Sequence, residues 1–261
     1  MNEPLSNQPA EAPSAPVAAT SVWSRMMNVF AAPGEVFEEV RVSKPDNANW
    51  LVPILVSCVV SVIYVVVVFS QEGVQYQMRE AREQQFQKQV ETGKLTQQQA
   101  DQAMAITEKF TGPAMMMVFG SISAVLASFA WLFFLALVIW LIGDKLFHGS
   151  FPYMQAAEVC ALAGMVAVLG AIVTMLLVVA TGSMFTTPGP ALLIQEFDPK
   201  DKTHLALASV NVMTLWYTAV LALGLAKLSK ASFLKSFFCL FIPYVLLRAG
   251  LILSGLGQHG M

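Results

Sequence analysis

Charged residues are scarce in this chain. Of its 261 residues, 12% are Asp, Glu, Lys or Arg and 56% are apolar, whereas a soluble domain carries about 25% charged residues. The charges are concentrated in the N-terminal tail and in loops, which is typical of a protein with several membrane spans. Because 15 basic and 17 acidic residues give a net charge of -2, we expect no basic surface for nucleic acid.

Residues suited to catalysis are also few. Cys58, Cys160 and Cys239 each lie within an apolar run and predict small buried side chains rather than disulfides. The chain contains no phosphate-binding loop and no HExxH, CxxC or GxSxG motif, and its three histidines fall in three different segments. Asp198 and Asp201 precede an apolar run, where helix capping is the favoured interpretation. We therefore expect no catalytic residue, no metal and no cofactor, and a protein that is not an enzyme.

Long apolar runs account for most of the sequence. A helix rising about 1.5 Å per residue needs about 20 apolar residues to cross a hydrocarbon core of about 30 Å. Five segments are long enough, and in lipid even the valine-rich first segment is expected to be helical, because a helix satisfies its own backbone hydrogen bonds. The sequence predicts an all-α polytopic membrane protein, with a five-span helical bundle in residues 50–256. The predicted spans are Trp50–Phe69, Ala114–Ile142, Ala156–Ala180, Leu205–Ala226 and Phe237–Leu256.

Two ionisable residues interrupt these spans, Glu158 near the start of the third and Arg248 in the fifth. Ionisable side chains are costly in hydrocarbon and are therefore candidates for function. One interpretation assigns both residues to a transport pathway. The other makes Glu158 an interfacial carboxylate and lets Arg248 extend towards the membrane surface or bond to a neighbouring carbonyl. The second is favoured, because a transporter usually has more polar groups at the membrane midplane.

The first 49 residues divide into two parts. Residues 1–20 are rich in Pro, Ala and Ser, have no hydrophobic periodicity and are predicted to be disordered, without the features of a signal peptide. Residues 21–49 predict short amphipathic helices separated at Pro33. Trp23, Phe30 and Phe37 are the expected anchors at the membrane interface. Packing of these helices on the ends of the spans is an equally supported alternative.

Residues 70–113 form the only large hydrophilic segment and predict a helical hairpin outside the membrane. A break at Thr92-Gly93-Lys94 separates its two helices, and Thr96 followed by Gln99 is a capping-box pattern. A glutamine-rich face on the second helix favours a solvated surface over a recognition surface. The first helix has apolar residues at multiples of four, Val74, Met78, Phe86 and Val90.

Lysines near the span ends indicate the orientation. The short loop between the last two predicted spans contains Lys227, Lys230 and Lys235, and short loops rich in Lys and Arg stay in the cytosol. We therefore expect a cytoplasmic N-terminus, an external hairpin and an external C-terminal tail, residues 257–261. A bacterial cytoplasmic (inner) membrane is the expected location.

The order of these parts resembles the Yip family of integral membrane proteins, in its prokaryotic form. Phe30-Ala-Ala-Pro33-Gly-Glu-Val-Phe37 is similar to the F-x-x-P-x-x-x-F segment that precedes the family's first span, and Gly149-Ser-Phe151 to the turn before its third span. The resemblance covers residues 22–256. It implies five spans, a cytosolic N-terminus and a non-enzymatic role in membrane organisation or trafficking. In eukaryotic members of the family the partners are small GTPases.

These observations favour a membrane scaffold or adaptor. Its expected partners are the lipid bilayer and a protein bound through hairpin 70–113 or through the N-terminal helices. Small residues spaced by four in the later spans are compatible with a homo-oligomer, although packing within one bundle explains them as well. The alternative function is a small transporter or channel that uses Glu158 and Arg248.

Overall fold

The computed structural model describes residues 20–194 and 197–254. Within these ranges the regular elements are helical and there are no strands, which confirms the predicted all-α class. Except for Thr20, the predicted disordered tail lies outside the described residues, as do the C-terminal tail and the end of the predicted fifth span. The ten α-helices are α1 Val22–Ala31, α2 Pro33–Val42, α3 Ala48–Phe69, α4 Glu72–Glu91, α5 Gln97–Thr111, α6 Pro113–Leu141, α7 Tyr153–Thr181, α8 Lys202–Ser209, α9 Val212–Ser229 and α10 Phe233–Leu253.

Five of the helices in the described ranges are long and apolar enough to cross a membrane: α3, α6, α7, α9 and α10. The protein is thus an integral membrane protein with five candidate spans, as the sequence predicts. A π-helical segment, Ile142–Leu146, continues α6 and extends that helical rod to 34 residues. At about 1.5 Å per residue, both α6 and the 29-residue α7 exceed the thickness of the hydrocarbon core.

The fourth span begins at Val212, so the predicted start at Leu205 is wrong. Leu205 belongs to the separate short helix α8, and the chain is extended at Asn211 (φ -118°, ψ 120°) before α9. The Asn211 side chain accepts hydrogen bonds from the backbone N–H groups of Met213 (2.8 Å) and Thr214 (3.3 Å). Asn211 is therefore the N-cap of a new helix. The prediction of one continuous span from Leu205 takes Asn211 to be an isolated polar residue within an apolar run, whereas in the structure it caps a new helix.

The fifth span differs at its start. It begins at Phe233 rather than at the predicted Phe237, after Ser232 in an extended conformation. Pro243 lies inside this helix without ending it. The span therefore includes Lys235 in its first turn, which shortens the loop that joins α9 to α10.

The first and third spans, α3 and α7, run in the same direction. Asn49 at the start of α3 contacts Glu158 near the start of α7, and Val68 near the end of α3 packs with Val178 near the end of α7. These two helices are therefore parallel. We call the end of the bundle that carries Asn49 and Glu158 the cap end, and the opposite end the hairpin end.

Helix α7 occupies the centre of the bundle. Most residues from 155 to 168 are buried, and α7 contacts α3, α6 and α9. A Cβ atom on Gly224 of α9 would lie 2.2 Å from Cγ1 of Val159, so only glycine allows these two helices to approach so closely. Helix α10 is peripheral, because Ser236 is its one buried residue among those described.

At the hairpin end, α4 and α5 form the predicted hairpin. The capping box of Thr96 and Gln99 is present, which confirms the predicted start of the second helix. The hairpin is attached to the bundle through Val74, which is fully buried and packs with Val68 and Val178. Gln77 strengthens this attachment, since its amide group bonds to the carbonyl of Gly182 (3.4 Å) and to the N–H of Met184 (3.1 Å).

Replacement of Gly73 tests this attachment. A Cβ atom on Gly73 would lie 2.4 Å from the carbonyl oxygen of Gly182, whereas one on Gly164 meets nothing within 4 Å. We expect Gly73→Ala to destabilise the docked hairpin by about 1–3 kcal/mol, as overpacking does, and Gly164→Ala to have little effect. Hydrogen exchange of residues 72–91 in the detergent-solubilised protein measures the difference. Equal protection in the two variants would contradict the close approach of α4 to Gly182.

Candidate functional site

The first predicted site residue, Glu158, is fully buried at the cap end. Its two carboxylate oxygens accept hydrogen bonds from the backbone N–H of Asp46 and from the side-chain amide of Asn49, both at 2.8 Å. Asp46 and Asn49 lie immediately before and at the start of α3. The carboxylate therefore joins the beginning of the third span to the beginning of the first.

Arg25 of α1 extends this contact. Its guanidinium donates to Oδ1 of Asn49 (3.1 Å) and to Oε2 of Glu39 in α2 (3.2 Å). Arg25 is only 7% exposed and Asn49 is fully buried. We call Arg25, Glu39, Asn49 and Glu158 the cap cluster. Through it, α1, α2, α3 and α7 are joined by charged and polar side chains at one end of the bundle.

Gln155 fixes the C-terminal end of α2. Its side-chain amide group lies within hydrogen-bond distance of the carbonyls of Val40 (3.1 Å), Arg41 (3.3 Å) and Ser43 (3.0 Å). The last carbonyls of a helix have no partners within that helix. Because Gln155 supplies donors from α7, α2 can end against the bundle without leaving these groups buried and unbonded.

The three predicted anchors occupy different environments. Phe37 is fully buried and lies against Gly224 of α9. A Cβ atom added to Gly224 would lie 3.4 Å from the ring of Phe37. Phe30 meets Trp216 of α9 edge to face, with ring centroids 6.0 Å apart. Trp23 is 64% exposed, although it lies seven residues before Phe30 and therefore on nearly the same face of α1. Phe37 and Phe30 therefore pack against the side of α9, whereas a position of Trp23 at headgroup level stays a prediction.

The other predicted intramembrane residue, Arg248, lies towards the hairpin end. One of its terminal nitrogens donates to Oγ of Ser209 in α8 at 3.2 Å. Glu158 instead contacts the start of α3 at the cap end. The structure thus places the two residues apart, each with different partners.

Glu38 makes a further contact between α2 and α9. Its carboxylate bonds to Arg41 and lies 3.6 Å from Nζ of Lys227. The hydrogen bond from Arg41 is the main reason that the pKa of Glu38 lies below its ordinary value of 4.5, and the charges of Arg41 and Lys227 act in the same direction. Since this side chain is 41% exposed, solvent screens the interaction and its contribution to stability is small.

Sequence reasoning identified Glu158 but missed Arg25, Glu39, Asn49 and Gln155. Asn49 directly precedes the predicted first span, and Arg25 follows two residues after Trp23 on an amphipathic helix. Periodicity alone does not reveal that these polar residues turn towards α7. Within the two described ranges, no group of three His, Cys, Asp or Glu side chains is placed to hold a metal. The arrangement of the cap cluster is suited to fixing helices against one another.

Replacement of Glu158 tests the cap cluster. Glutamine has one acceptor oxygen where the carboxylate has two, so Glu158→Gln brings an N–H donor against either Asp46 or Asn49. We expect a loss of about 1–3 kcal/mol, as for a buried donor left unsatisfied, measured as a lower Tm of the detergent-solubilised protein. The exposed Glu91→Gln is the matched control. Equal Tm values for both variants would contradict a structural role for Glu158.

Acidification tests the contact of Glu38. A carboxyl group whose pKa is lowered by folding stabilises the folded state above its ordinary pKa, and this stabilisation is lost as the pH falls through the folded value. We therefore expect hydrogen-exchange protection of residues 33–42 to decrease below pH 4.5. Glu38→Gln should reduce this decrease, and Glu35→Gln, an exposed carboxylate on the same helix, should not. An identical pH profile in both variants would assign the loss to other groups.

No curated protein and no solved structure matches the chain significantly. Residues 27–256 match the Yip1 domain, a range that contains both aromatic residues of the Phe30–Phe37 segment, the cap cluster members Glu39, Asn49 and Glu158, and all five candidate spans. This range covers far more than half of the chain, and it agrees with the resemblance seen in the sequence. The chain therefore belongs to the Yip1 domain family.

Proposed function

We propose that this Yip1-domain protein is a non-enzymatic membrane scaffold or adaptor that presents hairpin 70–113 to a protein partner. The observation that carries the proposal is the fixed attachment of α4 to the bundle. Val74 is fully buried, Gln77 bonds to the loop after α7, and Nζ of Lys200 lies 3.0 Å from Oε1 of Gln84. A hairpin held at several points along α4 presents its outer surface in a defined orientation.

The exposed surface of the hairpin supports the same proposal. Gln97, Gln98 and Gln102 are exposed on α5, whereas Ala100 between them is buried. Tyr76 and Ile106 are large apolar side chains with exposed fractions of 68% and 59%. A polar surface with a few exposed aromatic or aliphatic side chains is a suitable composition for a protein interface. A second copy of the chain is one such partner.

The location we propose is a bacterial cytoplasmic membrane, with the N-terminus in the cytoplasm and the hairpin outside. Three lysines support this orientation, because Lys227, Lys230 and Lys235 all lie in or beside the short connection of α9 to α10 at the cap end. Short basic connections favour the cytosolic side. Single cysteines at Gln87 and Gln98, in a chain without its three native cysteines, report the side of the hairpin when intact cells are treated with an impermeant maleimide.

Transport stays the alternative hypothesis. It requires that Glu158 and Arg248 belong to one pathway, yet Glu158 bonds to Asn49 and Asp46 at the cap end and Arg248 bonds to Ser209 towards the hairpin end. Both oxygens of Glu158 are already engaged by donors of the chain. This arrangement supports a structural use of Glu158 rather than a role in moving solutes.

Site-specific photocrosslinking in intact membranes tests the proposal. A photoreactive residue at Gln98 should give a discrete protein adduct, because this side chain is exposed on the hairpin. The same residue at Leu126, which is 66% exposed on the apolar surface of α6, is the control and should give no such adduct. Identical adducts at both positions, or none at Gln98, would contradict the proposal. A Glu158-dependent solute flux in liposomes would favour transport.

A further inference from the structure

A cavity of about 310 Å³ lies between α8, α9 and α10 towards the hairpin end of the bundle. Most of its wall is apolar and includes Val210, Leu215, Phe241 and Val245. Among the described residues that line it, Arg248 is the one with a charge. Volumes of about 300 Å³ and above are typical of ligand sites, which combine apolar walls with a few polar groups that orient the ligand.

The guanidinium of Arg248 is incompletely bonded. It has five N–H donors, and Ser209 provides the only acceptor found for it in the described part of the chain. Its Nε atom is buried and has no hydrogen-bond partner there. No carboxylate in residues 20–194 or 197–254 lies within 4.0 Å of its nitrogens. Arg248 as a whole is partly buried, but its Nε is shielded from solvent. A cation so placed without a counter-ion is unfavourable, so an external anion at this site would be stabilised.

The depth of Arg248 indicates where that anion comes from. Arg248 lies five residues before Leu253, the last residue of α10, which corresponds to about 8 Å along a helix. Its partner Ser209 ends α8, just before α9 enters the bundle at Val212. The guanidinium therefore lies nearer the hairpin end of α10 than the cap end, and the wall formed by Phe241 and Val245 continues from it towards the cap end.

We propose that this cavity binds one anionic phospholipid, with the phosphate on Arg248 and an acyl chain along α10. The outer surface of α10 supports this occupant. Its apolar side chains continue beyond the cavity and are exposed to 51% at Ile242, 66% at Leu246 and 63% at Leu247. A phosphate accepts several charge-assisted hydrogen bonds from one guanidinium. A lipid supplies this charge and the apolar chain together, whereas free phosphate supplies only the charge.

Native mass spectrometry of the purified full-length protein tests the site. The probes are phosphatidylglycerol, which is anionic, and phosphatidylcholine of the same acyl composition, which has no net charge. We expect the wild type to retain phosphatidylglycerol about tenfold better, in line with charged hydrogen bonds, and Arg248→Gln to lose this preference. Lys235→Gln removes one exposed charge at the other end of α10 and should keep the preference.

Two further variants separate binding from folding. Arg248→Lys keeps the charge and should retain part of the preference. Ala249→Trp keeps Arg248 but fills the cavity that Ala249 lines, and should lose it. The proposal is overturned if the wild type shows no preference, if Ala249→Trp binds phosphatidylglycerol as well as the wild type, or if inorganic phosphate at equal concentration displaces the lipid. It is also overturned if a dimer of the chain excludes the lipid.

Discussion

The carboxylate of Glu158 has to be satisfied where the third span enters the membrane, and this requirement determines the arrangement of the cap end. A buried charge in a medium of low polarity is stable only with donors or a counter-ion. The backbone of Asp46 and the amide of Asn49 supply the donors, and Asn49 in turn bonds to Arg25. Because Arg25 also bonds to Glu39, one carboxylate in the third candidate span is linked by hydrogen bonds to the first span and to both N-terminal helices.

Helix α7 extends from the cap end of the bundle to the hairpin end and contacts elements outside the spans at both. Its 29 residues correspond to about 44 Å, more than a hydrocarbon core of about 30 Å. Its first turns therefore lie beside α2, where Gln155 bonds to Val40, and its last turn lies beside α4, where Gly182 meets Gly73. Elements outside the spans are thus fixed to a single central helix, at one end by hydrogen bonds of Gln155 and Glu158 and at the other by close backbone contact at Gly182.

Apolar runs were sufficient to predict the five spans, because the cost of exposing backbone groups to lipid leaves helix as the available structure. The hairpin and its capping box were also predictable, since both depend on residues close in sequence. The start of the fourth span was not, because Asn211 is a plausible residue both as a helix cap and inside a span. The carbonyl of Pro188, which accepts a hydrogen bond from the N–H of Val212 at this helix start, is distant in sequence. The cap cluster was missed for the same reason: Arg25 and Glu158 are distant in sequence, and no local pattern reports that Asn49 joins them.

The two intramembrane ionisable residues therefore carry different implications. A charge in a span is a candidate for function, and a charge that the chain leaves without partners is the stronger candidate. Both oxygens of Glu158 accept hydrogen bonds from residues that hold the fold together, so its presence in the span is explained by packing. Arg248 has one hydroxyl partner, a buried nitrogen without an acceptor in the described residues, and an adjoining cavity. Packing within the described residues accounts for Glu158 but leaves the Nε of Arg248 without an acceptor, and the proposed lipid phosphate would supply one.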